Sequence, residues 1–437
     1  MSGAARVLHI ASHMGGGVGR ALSELAIYNR SAATGIEDAF ACLESPQDAR
    51  YARRIEESGA DILIAPDMPA LLREIAAADI VQIEWWHHPL MLRYFGALKD
   101  VAARWVVWSH TSGLHYPAIP YAFNRAPQAF IATTTASLPL LDQKGKARGN
   151  ILACVASTGG FDDFPAPSGA RPATCGYLGA LNPAKIHPDM AGCLEEAAKP
   201  GFGVDIYGDS SVNPDFENFA RKHDYVRLHG FTSKPQDVLP GIGIFTYLLN
   251  PLHYGTTENA LLESMACGAV PVVWNNPVET AIVENNATGF VVDNRKAFTT
   301  AIWRLLDDAA LRQKMGSAAA QKVRRDYSVA ASAEKLAGIY RDVMRRDKQK
   351  ADFAVAFGKT PHEMFLAGLG DYAACFTQGD EGAAQRRALP FLYEKSKSSA
   401  YHFHETFPED AQLAAWVKML DKDRRIIESE QAVPKAI

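Results

Sequence analysis

The 437-residue chain contains no apolar run of about 18 residues, so no membrane-spanning helix is expected. Its six cysteines (Cys42, Cys154, Cys175, Cys193, Cys267 and Cys375) are scattered, with no pair at C-x-x-C spacing. That suggests neither a disulfide framework nor a zinc site, and it fits a reducing compartment. The N-terminus lacks the charged-then-apolar pattern of an export signal. A cytoplasmic location is the expectation, with peripheral contact at the inner face of a membrane left open. An excess of one charge is also missing. Forty-five Lys and Arg against 49 Asp and Glu give a formal net charge of -4, which argues against bulk nucleic-acid binding. There is no internal repeat and no low-complexity tract. What is present is 48% hydrophobic residues, enough for full cores, in a chain long enough for two domains with some left over.

The order of segments is an alternation of strand and helix. Arg6 to Ser12 reads as a first parallel strand, running into Gly15, Gly16, Gly17 and Gly19 and a helix from about Val18. Such a loop lets backbone approach a ligand, or it simply makes a tight turn. It fails as a dinucleotide fingerprint, because Arg20 stands at the third glycine position. Strands at Glu37–Leu43 and Ile80–Glu84 and helices at Ala49–Ser58 and Met68–Ala78 continue the rhythm. The Ile80 strand ends in WWHHPLMLRYF, which fits packing under the next helix better than an acceptor pocket. His87 and His88 are adjacent and point different ways, and no third metal ligand is evident. Arg104–Trp108 is followed by Ser109, His110 and Thr111. Ligands of open parallel sheets bind outside the carboxyl ends of strands, which makes His110 a candidate functional residue.

Ser157 to Pro172 holds three glycines and three prolines, the composition of a linker. Beyond it, strands are expected at Thr174–Leu181, Val204–Tyr207 (closed by Gly208), Val226–Gly230 and Ile242–Leu248. The densest signal is Pro251 to Asn294, whose centre reads HYGTTENALLESMACGAVPVV. Thr256 and Thr257 suit a helix N-cap, and Glu258 places a carboxylate in the first turn. The spacing predicts a helix from about Glu258 to Cys267, stopped by Gly268, and a buried strand over Val270–Trp274. Leu261, Leu262, Met265 and Ala266 share one face, while Asn259 and Glu263 share another. The free helix N-terminus suits a phosphate, and a carboxylate two turns along suits ribose hydroxyls. The same residues also fit an ordinary strand–helix unit with a solvated Glu263. After closing helices at Phe298–Leu306, Leu311–Tyr327 and Ala333–Arg345, Thr360-Pro361-His362-Glu363 forms a capping box and Gly370 a stop. Pro408–Leu420 is amphipathic. YEKSKSSAYHFHE, between those helices, reads as a solvated connection.

LLESMACGAVPVVW, followed by IVENNATGFVVDN, resembles the donor-binding segment of the family-four retaining glycosyltransferases. The likeness covers roughly residues 4–345 and is strongest over 174–330. It implies an α/β protein with two Rossmann-like parallel-sheet domains facing an interdomain cleft (the B-type, GT-B, fold). The implied domains are an acceptor-side domain over 1–160, a nucleotide-sugar domain over 173–330 and a return helix over 331–350. A helical appendage of unknown role covers 351–437. The family carries two glutamates eight positions apart. The second matches Glu263, whereas the first falls on Gly255. The family's diphosphate-gripping lysine matches Lys185, and its partner arginine falls on Ala180.

These expectations assign Lys185, His110 and Glu258 to catalysis. They assign Gly16, Gly17, Gly208, Asn259, Ala260 and Glu263 to donor binding, with Glu258 and the backbone of Asn259 and Ala260 standing in for the missing glutamate. The implied activity is retaining transfer from a UDP- or GDP-sugar, without metal or other cofactor, in surface polysaccharide or glycoconjugate assembly. The acceptor is a glycan, a lipid-linked glycan or a protein. Two alternatives fit the same fold: a non-catalytic sugar-nucleotide-binding or scaffold protein, and a sugar-nucleotide epimerase. The absent third fingerprint glycine weighs against a nicotinamide dehydrogenase.

Overall fold

The computed structural model describes residues 4–46, 48–142, 149–395 and 398–432. The chain divides into two compact units. The first comprises residues 1–133, 137–155 and 333–437, and the second 134–136 and 156–332.

The first unit is built on a seven-stranded sheet of β1 (Ala5–Ala11), β2 (Ile36–Cys42), β3 (Asp61–Ile64), β4 (Ile80–Trp85), β6 (Trp105–Ser109), β7 (Ala129–Ala132) and β8 (Ile151–Cys154). The order is β3-β2-β1-β4-β6-β7-β8, and every pairing is parallel. Strands buried on both faces need continuous apolar runs, and WVVWS and AFIA are fully buried. Strand β3 has no such run: DILI is only half-buried at the sheet edge and was not legible from periodicity. A two-residue antiparallel ladder joins β5 (Ala102–Ala103) to β15 (Gln349–Lys350).

The second sheet holds six parallel strands: β9 (Cys175–Leu178), β10 (Val204–Tyr207), β11 (Val226–Gly230), β12 (Ile244–Tyr247), β13 (Val270–Trp274) and β14 (Phe290–Val292). Their order is β11-β10-β9-β12-β13-β14. In both sheets the chain works outward from the first strand and then reverses. The reversal lies between β1 and β4 in one and between β9 and β12 in the other. At such switch points the loops leaving adjacent strands diverge and open a crevice for ligands.

The Pro/Gly-rich segment is not a free linker. Phe161 and Phe164 are buried in the core of the second unit, and the Arg171 guanidinium donates to the Cys267 carbonyl at 2.6 Å. The helix Val329–Met344 lays Leu336, Ile339, Tyr340 and Val343 on the core of the first unit. The C-terminal region is helical, with Thr360 capping the helix Pro361–Leu369 through the full capping box. Residues 396 and 397 of the YEKSKSSAYHFHE stretch lie outside the described residues. Within the rest of that stretch, the helix Ala400–Thr406 buries Ala400 and Phe403. Phe353 and Phe357 complete an aromatic core with Trp85, Phe95 and Phe123, whose ring centroids lie 4.4–6.1 Å from one another in the contacting pairs.

Candidate active site

In the second unit, Lys185 follows β9 and Glu258 follows β12, so the two loops of the switch point carry them. The helix begins one residue later than its sequence suggests, at Asn259, and ends at Ala266. Glu258 is therefore not in the first turn. It is the N-cap residue, in the left-handed conformation (φ 49°, ψ 63°), and its side chain makes no capping bond. Thr257 does not cap either; its hydroxyl accepts from the Ser157 N–H at 3.1 Å. The left-handed backbone turns the Glu258 carboxylate inward. Oε2 accepts from Lys185 Nζ and from the Tyr247 hydroxyl, each at 2.7 Å. In this geometry the Glu258 side chain is only 3% exposed.

Burial alone would raise the Glu258 pKa, but the Lys185 charge, the nearby His253 and the two hydrogen bonds hold it down at about 2. Burial likewise opposes the Lys185 charge, and the Glu258 carboxylate raises its pKa nonetheless. His253 extends the cluster. Its Nδ1 accepts from the Gly255 N–H at 3.1 Å and lies 3.5 Å from Glu258 Oε1, while Nε2 donates to Glu279 at 3.3 Å. Donor atoms of His253, Glu258 and Glu279 lie within 4.8 Å of one another, a spacing that suits a metal ion. The Lys185 ammonium already brings a positive charge to that group. Glu258 Oε1 is buried with no hydrogen-bond partner.

Gly255 explains how the carboxylate fits. A Cβ built there would lie 1.5 Å from Glu258 Oε1 and 2.9 Å from Lys185 Nζ. The Glu258 carboxylate thus fills the space into which a side chain at 255 would project, at the position where the resembled pattern has its first glutamate. Asn259 and Ala260 are half-buried at the helix N-terminus, and Glu263 is buried one turn on, 8% exposed. Gly208 has a packing reason, since its Cβ would meet the Gly179 carbonyl oxygen at 2.3 Å, and its N–H donates to the Gly230 carbonyl.

In the first unit, Gly16 (φ 58°) and Gly17 open the helix Gly16–Ser31 after β1. Beyond the ends of β1, β2 and β4 lie His13, Glu44, Trp86 and His88, joined by His402 of the C-terminal region. The His88 and His402 rings are 4.5 Å apart and His13 and Trp86 5.0 Å. The WWHH run therefore divides. Trp85 and His87 pack into the aromatic core, whereas Trp86 and His88 face this cluster. Nδ1 of His13, His88 and His402 each accepts a backbone N–H, from Gly15, Leu90 and Ser398. Burial lowers the His402 pKa to about 4, and His88, 3.6 Å away, lowers that of Glu44. At the end of β6, His110 donates from Nε2 to Glu84 Oε2 at 2.7 Å.

Sequence reasoning missed Glu84, His9, Tyr247, His253 and Glu279. For His9 and Glu84 a signal existed. RVLHIA and IVQIEW each place one ionisable group in a strand otherwise suited to full burial, and such a group needs a partner.

Residues 172–308 match the family model described as "Glycosyl transferases group 1". A stretch of 144 residues is 31% identical to the alpha-D-kanosaminyltransferase of Streptomyces kanamyceticus; it spans 32% of this chain and 37% of that protein. The structure of Anabaena HepE with UDP covers 77% of this chain and 100% of its own, at 14% identity and a TM-score of 0.64. The pneumococcal O-GlcNAc transferase GtfA with UDP and GlcNAc covers 78% and 100%, at 13% identity and a TM-score of 0.60. The fold is that of the B-type glycosyltransferases. Among the described residues no helix is long and apolar enough to cross a membrane.

Proposed function

We propose that this protein is a retaining, metal-independent glycosyltransferase that moves a sugar from a UDP- or GDP-sugar to a glycan, lipid-linked glycan or protein acceptor. Surface polysaccharide or glycoconjugate assembly is the setting we assign to it, at the cytoplasmic side of a membrane. The observation that carries this reading is the Lys185–Glu258 pair beside the N-terminus of the helix Asn259–Ala266, within the segment matched by the family model.

Breaking the anomeric bond of a nucleotide-diphosphate sugar builds negative charge on the departing diphosphate. Lys185, the N–H groups of Asn259 and Ala260 and the positive end of the helix dipole are fixed charges suited to stabilising it. Glu263 is assigned to the ribose hydroxyls. Glu258 takes the place of the missing glutamate at Gly255, with its unpartnered Oε1 as the acceptor for a hydroxyl of the donor sugar. In front-face retention the leaving phosphate takes the acceptor's proton, so no carboxylate nucleophile is needed. Gly16 and Gly17 open the acceptor-side loop, and Trp86 with His13, His88 and His402 offers an aromatic, N–H-rich surface for a sugar acceptor. His110 is assigned to a substrate hydroxyl. Gly208 serves the donor side by letting its loop pack closely.

The test is a thermal-shift series with UDP-, GDP- and ADP-sugars, followed by NMR of the product's anomeric configuration. A donor at a hundred times its Kd adds about 2.7 kcal/mol of stability. No shift with any donor, or an inverted anomer, overturns the reading. Ala180 and Gly255, where the resembled pattern has charged residues, motivate a second reading, a non-catalytic sugar-nucleotide-binding protein. Binding of a donor without hydrolysis or transfer to any acceptor identifies it.

A further inference from the structure

A row of buried polar side chains crosses four adjacent strands of the first sheet. Asp38 lies on β2, His9 on β1, Glu84 on β4 and His110 just past the end of β6. Asp38, His9 and Glu84 are 6%, 0% and 1% exposed, and the His110 side chain is 3% exposed. Each contact is short. His9 Nε2 meets Asp38 Oδ1 at 3.1 Å and His9 Nδ1 meets Glu84 Oε1 at 2.7 Å, while Glu84 Oε2 receives His110 Nε2 at 2.7 Å. Asn29 donates to Asp38 Oδ2, Gln82 to Glu84 Oε1, and the Tyr340 hydroxyl to Gln82 Oε1.

Ionised carboxylate oxygens only accept, so a histidine nitrogen facing one must carry a proton. His9 faces a carboxylate on both sides and is therefore the imidazolium. The 3.4 Å approach of Gln82 Nε2 to His9 Nδ1 is then a contact between two donors rather than a bond. Burial opposes charge on both His9 and Glu84. The bonds from Asp38 and Glu84 nonetheless raise His9 to about 9, and those from His110 and His9 lower Glu84 to about 2. The titratable groups around Glu84 are these three and Tyr340, whose pKa burial raises well above its ordinary value.

At the far end, His110 Nε2 must donate, so the neutral ring carries its lone pair on Nδ1. That atom is buried and has no hydrogen-bond partner. It is the one acceptor of the row left unsatisfied, and it stands at the carboxyl end of β6, flanked by the Trp108 and Trp86 rings at 5.1 and 6.3 Å. Apolar side chains would fill this strand interior without the desolvation cost of four ionisable groups. A device that holds one imidazole in one tautomer gives the row a purpose.

We infer that Glu84 is the positioning residue of His110. It holds the ring as the Nε2–H tautomer, so that Nδ1 is presented as the hydrogen-bond acceptor for a substrate hydroxyl, while His9 bridges Asp38 and Glu84 as their shared cation. The part about a substrate rests on the glycosyltransferase reading above; the tautomer does not.

The experiment has two arms on the full chain. In the first, long-range 15N–1H NMR of histidine-labelled protein at pH 7.5, assigned with His110→Gln and His9→Gln, reads the protonation of each ring nitrogen. The expected result is a proton on Nε2 and none on Nδ1 of His110, with both nitrogens of His9 protonated. An Nδ1–H or mixed His110, or a neutral His9, overturns the inference whatever the protein catalyses. In the second arm, Glu84→Gln is assayed for transfer with the best donor. Its folding is checked by the retained NMR signature of Trp108. Loss of one charge-assisted hydrogen bond should lower kcat roughly 10- to 100-fold while the donor KM changes less than about twofold. In the variant the His110 tautomers should mix. An unchanged kcat with mixed tautomers overturns the positioning role. If wild-type protein transfers no sugar, the glycosyltransferase reading fails, and the first arm still decides the tautomer.

Discussion

At the scale of single residues, the second unit turns on one buried ion pair. Removing one partner of such a pair leaves an uncompensated charge in the interior, which costs about 3–5 kcal/mol. Lys185→Met should therefore lower stability by about that amount in chemical denaturation, because the Tyr247 hydroxyl and the nearby His253 do not replace the lost charge, and it should also weaken donor binding. Glu258→Gln keeps the shape and loses the charge. On the proposed reading, turnover with the true donor falls at least about tenfold while affinity for the free nucleotide barely changes, measured by kinetics and calorimetry. A wild-type rate would remove Glu258 from the sugar site. His9 carries a prediction in pH. Its folded pKa is raised, from 6.5 to about 9, so the folded state holds a proton that the unfolded chain releases. The stability it contributes is full below pH 6.5 and is lost as pH rises to 9, with a slope of roughly 1 kcal/mol per pH unit. His9→Gln should flatten the stability–pH curve across that window. None of these pairings was visible in the sequence. Lys185 and Glu258 stand 73 positions apart, and His9 and Glu84 75. Spacing rules reach only residues on one helix or strand.

At the scale of elements, close approach of loops explains the glycines better than ligand contact does. Gly255 leaves room for Glu258. Gly255→Ala should drive that carboxylate off Lys185 and destabilise by about 1–3 kcal/mol, the usual cost of overpacking. Combining it with Glu258→Ala should recover part of the loss, since the clash is then gone; strict additivity in the double-mutant cycle would show that the two positions do not share that space. Element existence was largely legible beforehand. The strand at Val270–Trp274 is where its apolar run places it, because a parallel strand buried on both faces leaves little freedom in composition. The N-cap was not legible. Thr256 and Thr257 have the right chemistry, but local propensity is worth about 1 kcal/mol, and a buried ion pair for Glu258 outweighs it.

At the scale of the whole molecule, the C-terminal helices belong to the first unit. They supply Phe353 and Phe357 to its aromatic core and His402 to the cluster past β4. Phe357→Ala should lower stability by about 3–5 kcal/mol through lost burial and a cavity beside Trp85 and Phe123, read as a shifted denaturation midpoint. A loss below about 1 kcal/mol would mean that the region packs loosely.

Periodicity and composition by themselves placed the strands of two parallel sheets and the helix that carries Asn259, Ala260 and Glu263. These are properties of contiguous stretches, where burial imposes its period on neighbouring residues. Only the tertiary structure decided where charges meet. It brought Lys185 onto Glu258, turned that carboxylate inward, drew His253 and Glu279 around it, and aligned Asp38, His9, Glu84 and His110 across four strands. It also buried Phe161 and Phe164 of the Pro/Gly-rich segment and Ala400 and Phe403 of the histidine-rich C-terminal stretch, both of which have the composition of solvated chain. The reason is physical. A buried charge is tolerable only beside its partner, and in a parallel sheet that partner comes from another strand, dozens of residues away in the chain.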